Sequence, residues 1–248
     1  MKNRFCILLI SLILLLIFAL GGCKKDEQSS LSPAVSDSQA PTSTDNQSSL
    51  TPDGQSPASQ DESPMSKYKA VLQNKARFFC VDADKELYIS QINQVVSDDS
   101  SVKAEVTKFA IVDLEKDSIP EIVLWITVND NTDFGYEVLS CKDGVVYGYT
   151  LWYRSFMNLK EDGTFSFSGG ASDYGFGRVA FTDKGCTIDN ISYCESVYDS
   201  ENNLTVSYFV NHEKASEEDF QSTMDKQDEK PDVTWYDFID DNISGLSL

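Results

Sequence analysis

The chain has 248 residues, with 40 Asp or Glu against 20 Lys or Arg and a formal net charge of −20 at pH 7. A chain this acidic is unsuited to binding DNA or RNA unaided, because every phosphate would meet net repulsion. We therefore expect no nucleic-acid partner. The hydrophobic share of 41% is enough for one globular core, but the apolar residues are unevenly distributed along the chain.

Residues 1–22 have the layout of a secretory signal peptide. Lys2 and Arg4 precede a run from Phe5 to Leu20 that is interrupted only by Ser11. A basic start, an apolar run and small residues before a cleavage site are typical of such signals. The alternative is an uncleaved membrane helix, since the run approaches spanning length. Both interpretations place the following residues outside the cytoplasm, because the basic end stays inside.

The sequence Leu20-Gly21-Gly22-Cys23 resembles the lipobox of bacterial lipoproteins. The resemblance implies that the thiol of Cys23 is diacylglycerated and that the peptide is cleaved just before it. Each buried CH₂ group contributes about 0.8 kcal/mol, and two acyl chains hold a protein where one chain binds only reversibly. We expect durable attachment, with palmitate among the acyl chains, to the extracytoplasmic face of the cell membrane.

Residues 23–65 are predicted to be the lipidated cysteine followed by a disordered tether. Residues 24–65 contain 14 Ser or Thr, five of the seven prolines, five Gln and only seven apolar residues. Such a segment cannot bury enough apolar surface to offset the entropy lost on ordering. As a flexible coil it would span roughly 35 Å on average.

Residues 66–248 are predicted to form a single extracytoplasmic domain. Tyr68, Val71, Leu72 and Phe79 recur at helical spacing and predict a first helix. The type of the stretch 85–96 stays open. Segments rich in β-branched and aromatic residues then predict strands at 106–112, 121–128, 134–140, 145–153, 164–168, 178–182, 186–197 and 203–210.

Short connections between these strands favour antiparallel neighbours. Ser216 with Asp219 three residues later is typical of a capped helix, which should end before Pro231. The apolar ending from Trp235 to Ile239 should pack on the domain. The predicted fold class is therefore α+β, with an antiparallel β-meander sheet covered by N-terminal and C-terminal helices.

Four cysteines remain after the signal and Cys23 are set aside: Cys80, Cys141, Cys186 and Cys194. Four thiols allow three pairings, and disulfides are permitted outside the cytoplasm. Cys186 and Cys194 fall on one predicted strand, roughly 26 Å apart, which is too far for a bridge unless a turn intervenes. Free thiols and disulfides both stay open.

The loop from Asp113 to Glu121 has a pattern of metal ligands. Acidic side chains stand at positions 1, 3, 5 and 9, and a main-chain carbonyl is available at position 7. An oxygen-rich shell of this kind suits a hard cation such as Ca²⁺.

This loop resembles the Asp-x-Asp-x-Asp-Gly-x-x-Asp/Glu loops of FG-GAP and VCBS repeats, and more distantly the EF-hand loop. The resemblance implies a calcium site with these ligands: the side chains of Asp113, Glu115, Asp117 and Glu121 and the carbonyl of Ile119. Ser118 departs from the expected Gly, the charge of Lys116 can replace the ion, and there is only one copy. The alternative is a solvated acidic turn.

The residue types in the chain argue against several other kinds of catalytic site. His212 is the single histidine, which excludes zinc sites built on two or three histidines. The glycine-rich stretch 169–177 lacks the Lys-Ser/Thr ending of a phosphate-binding loop and is better interpreted as a turn. Four rings form a candidate ligand platform for sugar or wall polymer, with a sheet core as the alternative: Trp152, Tyr153, Tyr174 and Phe176.

Phrases such as Phe109-Ala110-Ile111-Val112, Asp143-Gly144-Val145-Val146 and Trp235-Tyr236-Asp237-Phe238 resemble small lipoproteins of Gram-positive bacteria, an uncharacterised group. The resemblance implies a location and an architecture but no activity. The predicted function is a membrane-anchored binding or structural module at the cell surface. We expect an interaction protein and not an enzyme, and its expected partner is wall polymer or a secreted protein. The alternative is an extracytoplasmic hydrolase that uses carboxylates.

Overall fold

A computed structural model describes residues 63–97, 99, 101–182 and 184–246. The predicted signal peptide, Cys23 and nearly all of the predicted tether lie outside these residues. The first helix begins at Pro64, two residues before the predicted domain boundary. In the described ranges, no helix combines the length and the apolar composition needed to cross a bilayer.

The described part of the chain contains four α-helices and twelve strands. The helices are α1 (Pro64–Leu72), α2 (Asn93–Val96), α3 (Glu217–Asp228) and α4 (Asp240–Ser244). The strands are β1 (Phe78–Cys80), β2 (Lys85–Leu87), β3 (Ala104–Val112), β4 (Glu121–Val128), β5 (Asn131–Lys142), β6 (Val145–Trp152), β7 (Phe165–Gly170), β8 (Asp173–Thr182), β9 (Gly185–Tyr198), β10 (Leu204–Val210), β11 (Glu213–Ala215) and β12 (Tyr236–Asp237).

The strands form two sheets. One has seven strands in the order β12-β3-β4-β5-β6-β1-β2, and the other has five in the order β11-β10-β9-β8-β7. Paired strands are antiparallel except β1 and β6, which are parallel. Consecutive strands pair in both sheets, so each sheet contains a meander, as the short connections predicted.

The sequence predicts one sheet and the structure has two, so that prediction is wrong. The prediction of a mostly antiparallel β-structure with few helices is confirmed. Alternation along a strand reports which side chains are buried and not which sheet the strand joins. Phe79 was assigned to the first helix but lies on β1, because α1 already ends at Leu72. The cover of the sheet by terminal helices stays a prediction.

Both faces of the seven-stranded sheet are buried. Ile122 and Leu124 on β4 belong to a core that includes Tyr68 of α1 and Ile243 of α4. Val123, between them, belongs to a second core that includes Phe165, Val179 and Phe181 of the five-stranded sheet. Alternate side chains of one strand thus fill opposite layers, which explains why β4 is an almost continuous apolar run.

Helix α3 packs on the five-stranded sheet through Phe220 and Met224, which contact Phe176 and Cys194. Its start agrees with the prediction, since Ser216 Oγ accepts a hydrogen bond of 3.1 Å from the Asp219 amide. Such a cap satisfies an amide that the helix itself leaves free.

The C-terminal end of α3 is held by the buried ammonium of Lys160. Its Nζ donates to the carbonyls of Asp228 and Lys230 at 3.1 Å each. It also pairs with Asp232 Oδ1 at 2.7 Å. A cation is well placed there because it neutralises the partial negative charge of unpaired helix carbonyls.

The four cysteines of the domain are free thiols in this structure: Cys80, Cys141, Cys186 and Cys194. Cys186 and Cys194 lie on the same strand, β9, as the sequence indicated. The fold is therefore built here without a disulfide between any of these four residues.

Gly148 on β6 is a position of the seven-stranded sheet that has no room for a side chain. A Cβ added there would collide with Glu137 Oε1 and lie 2.6 Å from two ring carbons of Phe78. We expect Gly148→Ala to lower the free energy of unfolding by about 1–3 kcal/mol, the usual cost of overpacking. Denaturant unfolding measures the change.

Gly169→Ala is the matched control, because its added Cβ would meet its nearest atoms at an ordinary 3.6 Å. Equal unfolding free energies for the two variants would contradict the packing described here.

Candidate functional site

The predicted calcium loop connects β3 to β4 and turns sharply. Lys116 and Ser118 adopt left-handed φ values of 61° and 71°. Ser118 occupies the position where the loops that it resembles carry glycine, the residue that adopts this conformation at least cost. The chain therefore makes the expected sharp turn without the expected residue.

Three of the predicted ligands accept hydrogen bonds from backbone amides of the loop itself, and two of the three are Asp113 and Asp117. Asp113 accepts from the amides of Asp117 at 3.2 Å and Ser118 at 3.1 Å. Asp117 accepts from the Ile119 amide at 2.8 Å. These bonds fix the turn in the way that short acidic side chains commonly do.

Glu115 is directed away from the loop toward the five-stranded sheet. Its Oε1 accepts a 2.9 Å hydrogen bond from the amide of Phe181 on β8. Its Oε2 lies 3.2 Å from Lys142 Nζ, which also donates to the Phe181 carbonyl at 2.6 Å. Glu115 thus joins the two sheets.

Glu121, the last predicted ligand, is buried at the start of β4. One carboxylate oxygen accepts a 2.9 Å hydrogen bond from the Leu114 amide, and the other lies 3.5 Å from Ser140 Oγ. Burial, together with the nearby acidic side chains of the loop, raises the pKa of Glu121 to about 7, although the hydrogen bond from the Leu114 amide lowers it. This side chain pins the loop to the sheet.

The structure thus gathers the predicted ligands around one loop but pairs their carboxylates with amides and a lysine. Within the described ranges, no group of three or more His, Cys, Asp or Glu side chains is arranged to hold a metal ion. The calcium site stays a prediction.

A calcium titration tests that prediction. We expect millimolar Ca²⁺ to raise the melting temperature, because an ion that binds only the folded state stabilises it by mass action. The double variant Asp113→Ala, Asp117→Ala should lose the response. Asp143→Ala, at an exposed acidic residue in another turn, is the control. A wild-type protein that melts at the same temperature with calcium and with chelator would end the hypothesis.

A second buried carboxyl, Glu137, was not anticipated. It is 0% exposed on the central strand β5. Thr150 Oγ1 donates to its Oε2 at 2.9 Å, and Oε1 receives no N–H or O–H hydrogen bond. The alternation of Gly135, Glu137 and Leu139 on one face of an apolar strand is the sequence signal that could have identified it.

Burial raises the pKa of Glu137 to about 8, and the Asp82 carboxylate adds to the effect against the opposing Thr150 bond. The thiol of Cys80 lies beside the same carboxyl, and its pKa is raised to about 12, first by burial and then by Glu137. A protonated carboxyl avoids most of the cost of placing a charge in the interior.

These shifts predict a fall in stability with rising pH. Below about pH 4.5 the carboxyls are protonated in both states. Above pH 4.5 the unfolded chain releases protons that the folded chain retains, up to about pH 7 on Glu121 and about pH 8 on Glu137. The free energy of unfolding therefore falls, by about 1.4 kcal/mol for each unit of pKa difference. Denaturant unfolding at pH 5, 6, 7 and 8 measures this slope.

Glu137→Gln and Glu121→Gln should each flatten the slope, because Gln has no proton to release. Glu105→Gln, at an exposed position on β3, is the matched control for the loss of one acidic residue. The prediction is wrong if Glu137→Gln keeps the wild-type slope.

The four rings of the predicted ligand platform divide between the two sheets. Trp152 is 61% exposed at the end of β6 and packs edge-on against Phe134. Phe176 is only 6% exposed, and Tyr174 packs against Phe220 of α3 at 5.5 Å. Phe176 is therefore part of the core. Among the ring contacts of the described residues, none joins Trp152 to Tyr174 or Phe176.

Tyr153, the fourth ring, belongs to an aromatic cluster centred on Tyr136. The ring of Tyr136 stacks on Tyr153 at 6.4 Å and on Trp235 at 5.9 Å. Trp125 lies 5.4 Å from Tyr136 and 5.0 Å from Trp235. Such ring pairs stabilise beyond their buried area, so the cluster holds the C-terminal segment on the sheet, as predicted for that segment.

Two sequence candidates remain. His212 is exposed in the turn before β11, with Nε2 3.6 Å from Asp189 Oδ1. The glycine-rich stretch 169–177, which the sequence predicts to be a turn, lies mostly on strands: Gly169 and Gly170 end β7 and residues 173–177 begin β8. Only residues 171–172 form the turn of this hairpin.

The surface of the described residues includes two shallow depressions. One, of about 290 Å³, is lined by Ile111, Glu161, Val233, Thr234 and Tyr236. The other, of about 410 Å³, lies between the start of α3 and the β10–β11 turn. Neither contains Glu121 or Glu137.

Comparisons of the chain with protein-family models, with curated proteins and with solved structures find no match.

Proposed function

We propose that this protein is a lipoprotein anchored through Cys23 to the extracytoplasmic face of the cell membrane, where its domain acts as a binding or structural module. The observation that carries the proposal is the basic and apolar N-terminus ending in Leu20-Gly21-Gly22-Cys23. A tether rich in Ser, Thr and Pro separates that cysteine from α1, and such composition is typical of a spacer.

The placement of the carboxyls favours a module over a hydrolase. Carboxylate-dependent hydrolysis needs two carboxyls that face a substrate cleft. Here the carboxyls with raised pKa, Glu121 and Glu137, are buried in the seven-stranded sheet and away from both depressions. Their role is consistent with fixing the loop and the sheet.

The proposal includes a sheet that is covered by the N-terminal and C-terminal helices. Tyr68 of α1 and Ile243 of α4 share a core with one face of the seven-stranded sheet, which supports a sheet covered by terminal helices. Calcium, if the loop of Asp113 binds it, would stiffen that sheet and not take part in a reaction. Wall polymer and secreted protein are the two classes of partner.

Labelling with radioactive palmitate tests the anchor. We expect the wild-type protein to be labelled, cleaved and recovered with membranes, because the lipidated thiol precedes cleavage in the lipobox scheme. Cys23→Ala should give an unlabelled, uncleaved precursor. Cys6→Ala, which changes another cysteine of the same N-terminal region, is the matched control and should behave as wild type.

Palmitate in the Cys23→Ala protein, or a soluble cytosolic wild-type protein that retains Met1, would contradict the proposal.

A further inference from the structure

The end of the β9–β10 hairpin extends beyond the rest of the five-stranded sheet. We call residues 195–207 the ribbon. Pairing of β8 with β9 ends at Tyr174 opposite Cys194, and β11 pairs only with residues 208–210 of β10. In the described structure the two strands of the ribbon therefore have only each other as strand partners.

The ribbon carries a concentration of exposed apolar side chains. Val197 and Tyr198 are each 63% exposed, and Leu204 is 46% exposed. Tyr198 and Leu204 are directly opposite in the register, so their side chains are neighbours on one face, and Val197 lies on the other face. A two-stranded hairpin with apolar groups in water gains little stability by itself, and adjacent exposed apolar side chains on it favour an interaction surface.

The Asp, Glu, Lys and Arg side chains along this hairpin have one sign of charge. Residues 185–213 contain five acidic residues and no Lys or Arg. Three of the five, Glu195, Asp199 and Glu201, are exposed on the ribbon. The Asn203 amide lowers the pKa of Asp199, so this carboxylate stays ionised. An anionic polymer, an anionic membrane surface or the ribbon of a second copy would meet repulsion here.

The two edges of the ribbon differ. On the β9 side, Asp173 accepts hydrogen bonds from the amide and the hydroxyl of Ser196, both at 2.8 Å. A carboxylate thus occupies that edge. On the β10 side, no strand of the described residues pairs with 204–207. An open edge of this kind accepts an added strand.

We propose that the ribbon binds an extended segment of a partner protein that alternates basic and apolar residues, added as a strand along the free edge of β10. Its apolar side chains cover Tyr198 and Leu204, and its Lys or Arg side chains pair with Glu195 and Glu201. This inference rests on the proposed function as a binding module and assigns it a partner: the basic stretch of a secreted or surface protein.

Binding of synthetic peptides tests the proposal. Full-length protein in nonionic detergent is titrated against fluorescent decapeptides of alternating Lys–Val, Lys–Ser and Glu–Val sequence, with anisotropy as the readout. We expect Lys–Val to bind most tightly and its affinity to fall as salt is added, since exposed charge pairs are screened. Lys–Ser lacks the apolar contacts, and Glu–Val has the wrong charge.

Tyr198→Ser and Leu204→Ser should each weaken binding of Lys–Val, by about tenfold for the aromatic residue. Glu195→Gln with Glu201→Gln should weaken it and flatten its salt dependence. Ile239→Ser removes an apolar side chain that is 52% exposed in another part of the chain, and this control should bind as wild type. Because these side chains are exposed, the melting temperatures should match that of wild type.

Equal affinity of wild type and Tyr198→Ser for the Lys–Val peptide overturns the proposal. Tighter binding of Glu–Val overturns it as well. Purified wall polymer that binds wild type but not Tyr198→Ser would assign the ribbon to the other partner class. A dimer abolished by Tyr198→Ser would assign it to self-association. Palmitate labelling of Cys23 reads the anchor independently, so failure of one proposal is distinguishable from failure of the other.

Discussion

Burial of both faces of the seven-stranded sheet is the constraint on which the rest of the structure depends. Ile122 and Leu124 face one layer and Val123 the other, so β4 has no wet side. Any polar group that enters such a strand must find its partner inside the sheet or lose its charge. Glu121 finds the Leu114 amide, and Glu137 finds the Thr150 hydroxyl. The same constraint explains why Gly148, beside Glu137, has no room for a Cβ.

The chain distributes its excess negative charge over three depths. Interior carboxyls have raised pKa values. Acidic side chains in the loops are held by backbone amides or by lysines, as Asp113 and Glu115 are. Asp162 is the extreme case, with a pKa lowered to about 2 by the Lys230 ammonium and the Thr164 hydroxyl and amide, which outweigh its desolvation. The ribbon has exposed carboxylates next to exposed apolar groups. Residues 185–213 contain no Lys or Arg that could pair with these carboxylates.

Local elements could be predicted from the sequence because local patterns determine them. The strand 121–128 agrees with β4 residue for residue, and Ser216 caps α3 as its spacing with Asp219 indicated. Long-range placement could not be predicted. Glu115 pairs with Lys142 and Phe181, which lie 27 and 66 residues away in sequence. Phe176 is covered by a helix that begins 41 positions later, at Glu217, and alternation cannot tell such a ring from an exposed one.

The state of the cysteines has a consequence for how the domain matures. The thiolate is the form that attacks oxidants and disulfides, and burial raises the pKa of Cys80, Cys141, Cys186 and Cys194. Burial therefore disfavours the reactive form of each sulfur. No bond joins these four residues in this structure, so the fold does not depend on an oxidant to close one, and a reductant has none between them to break.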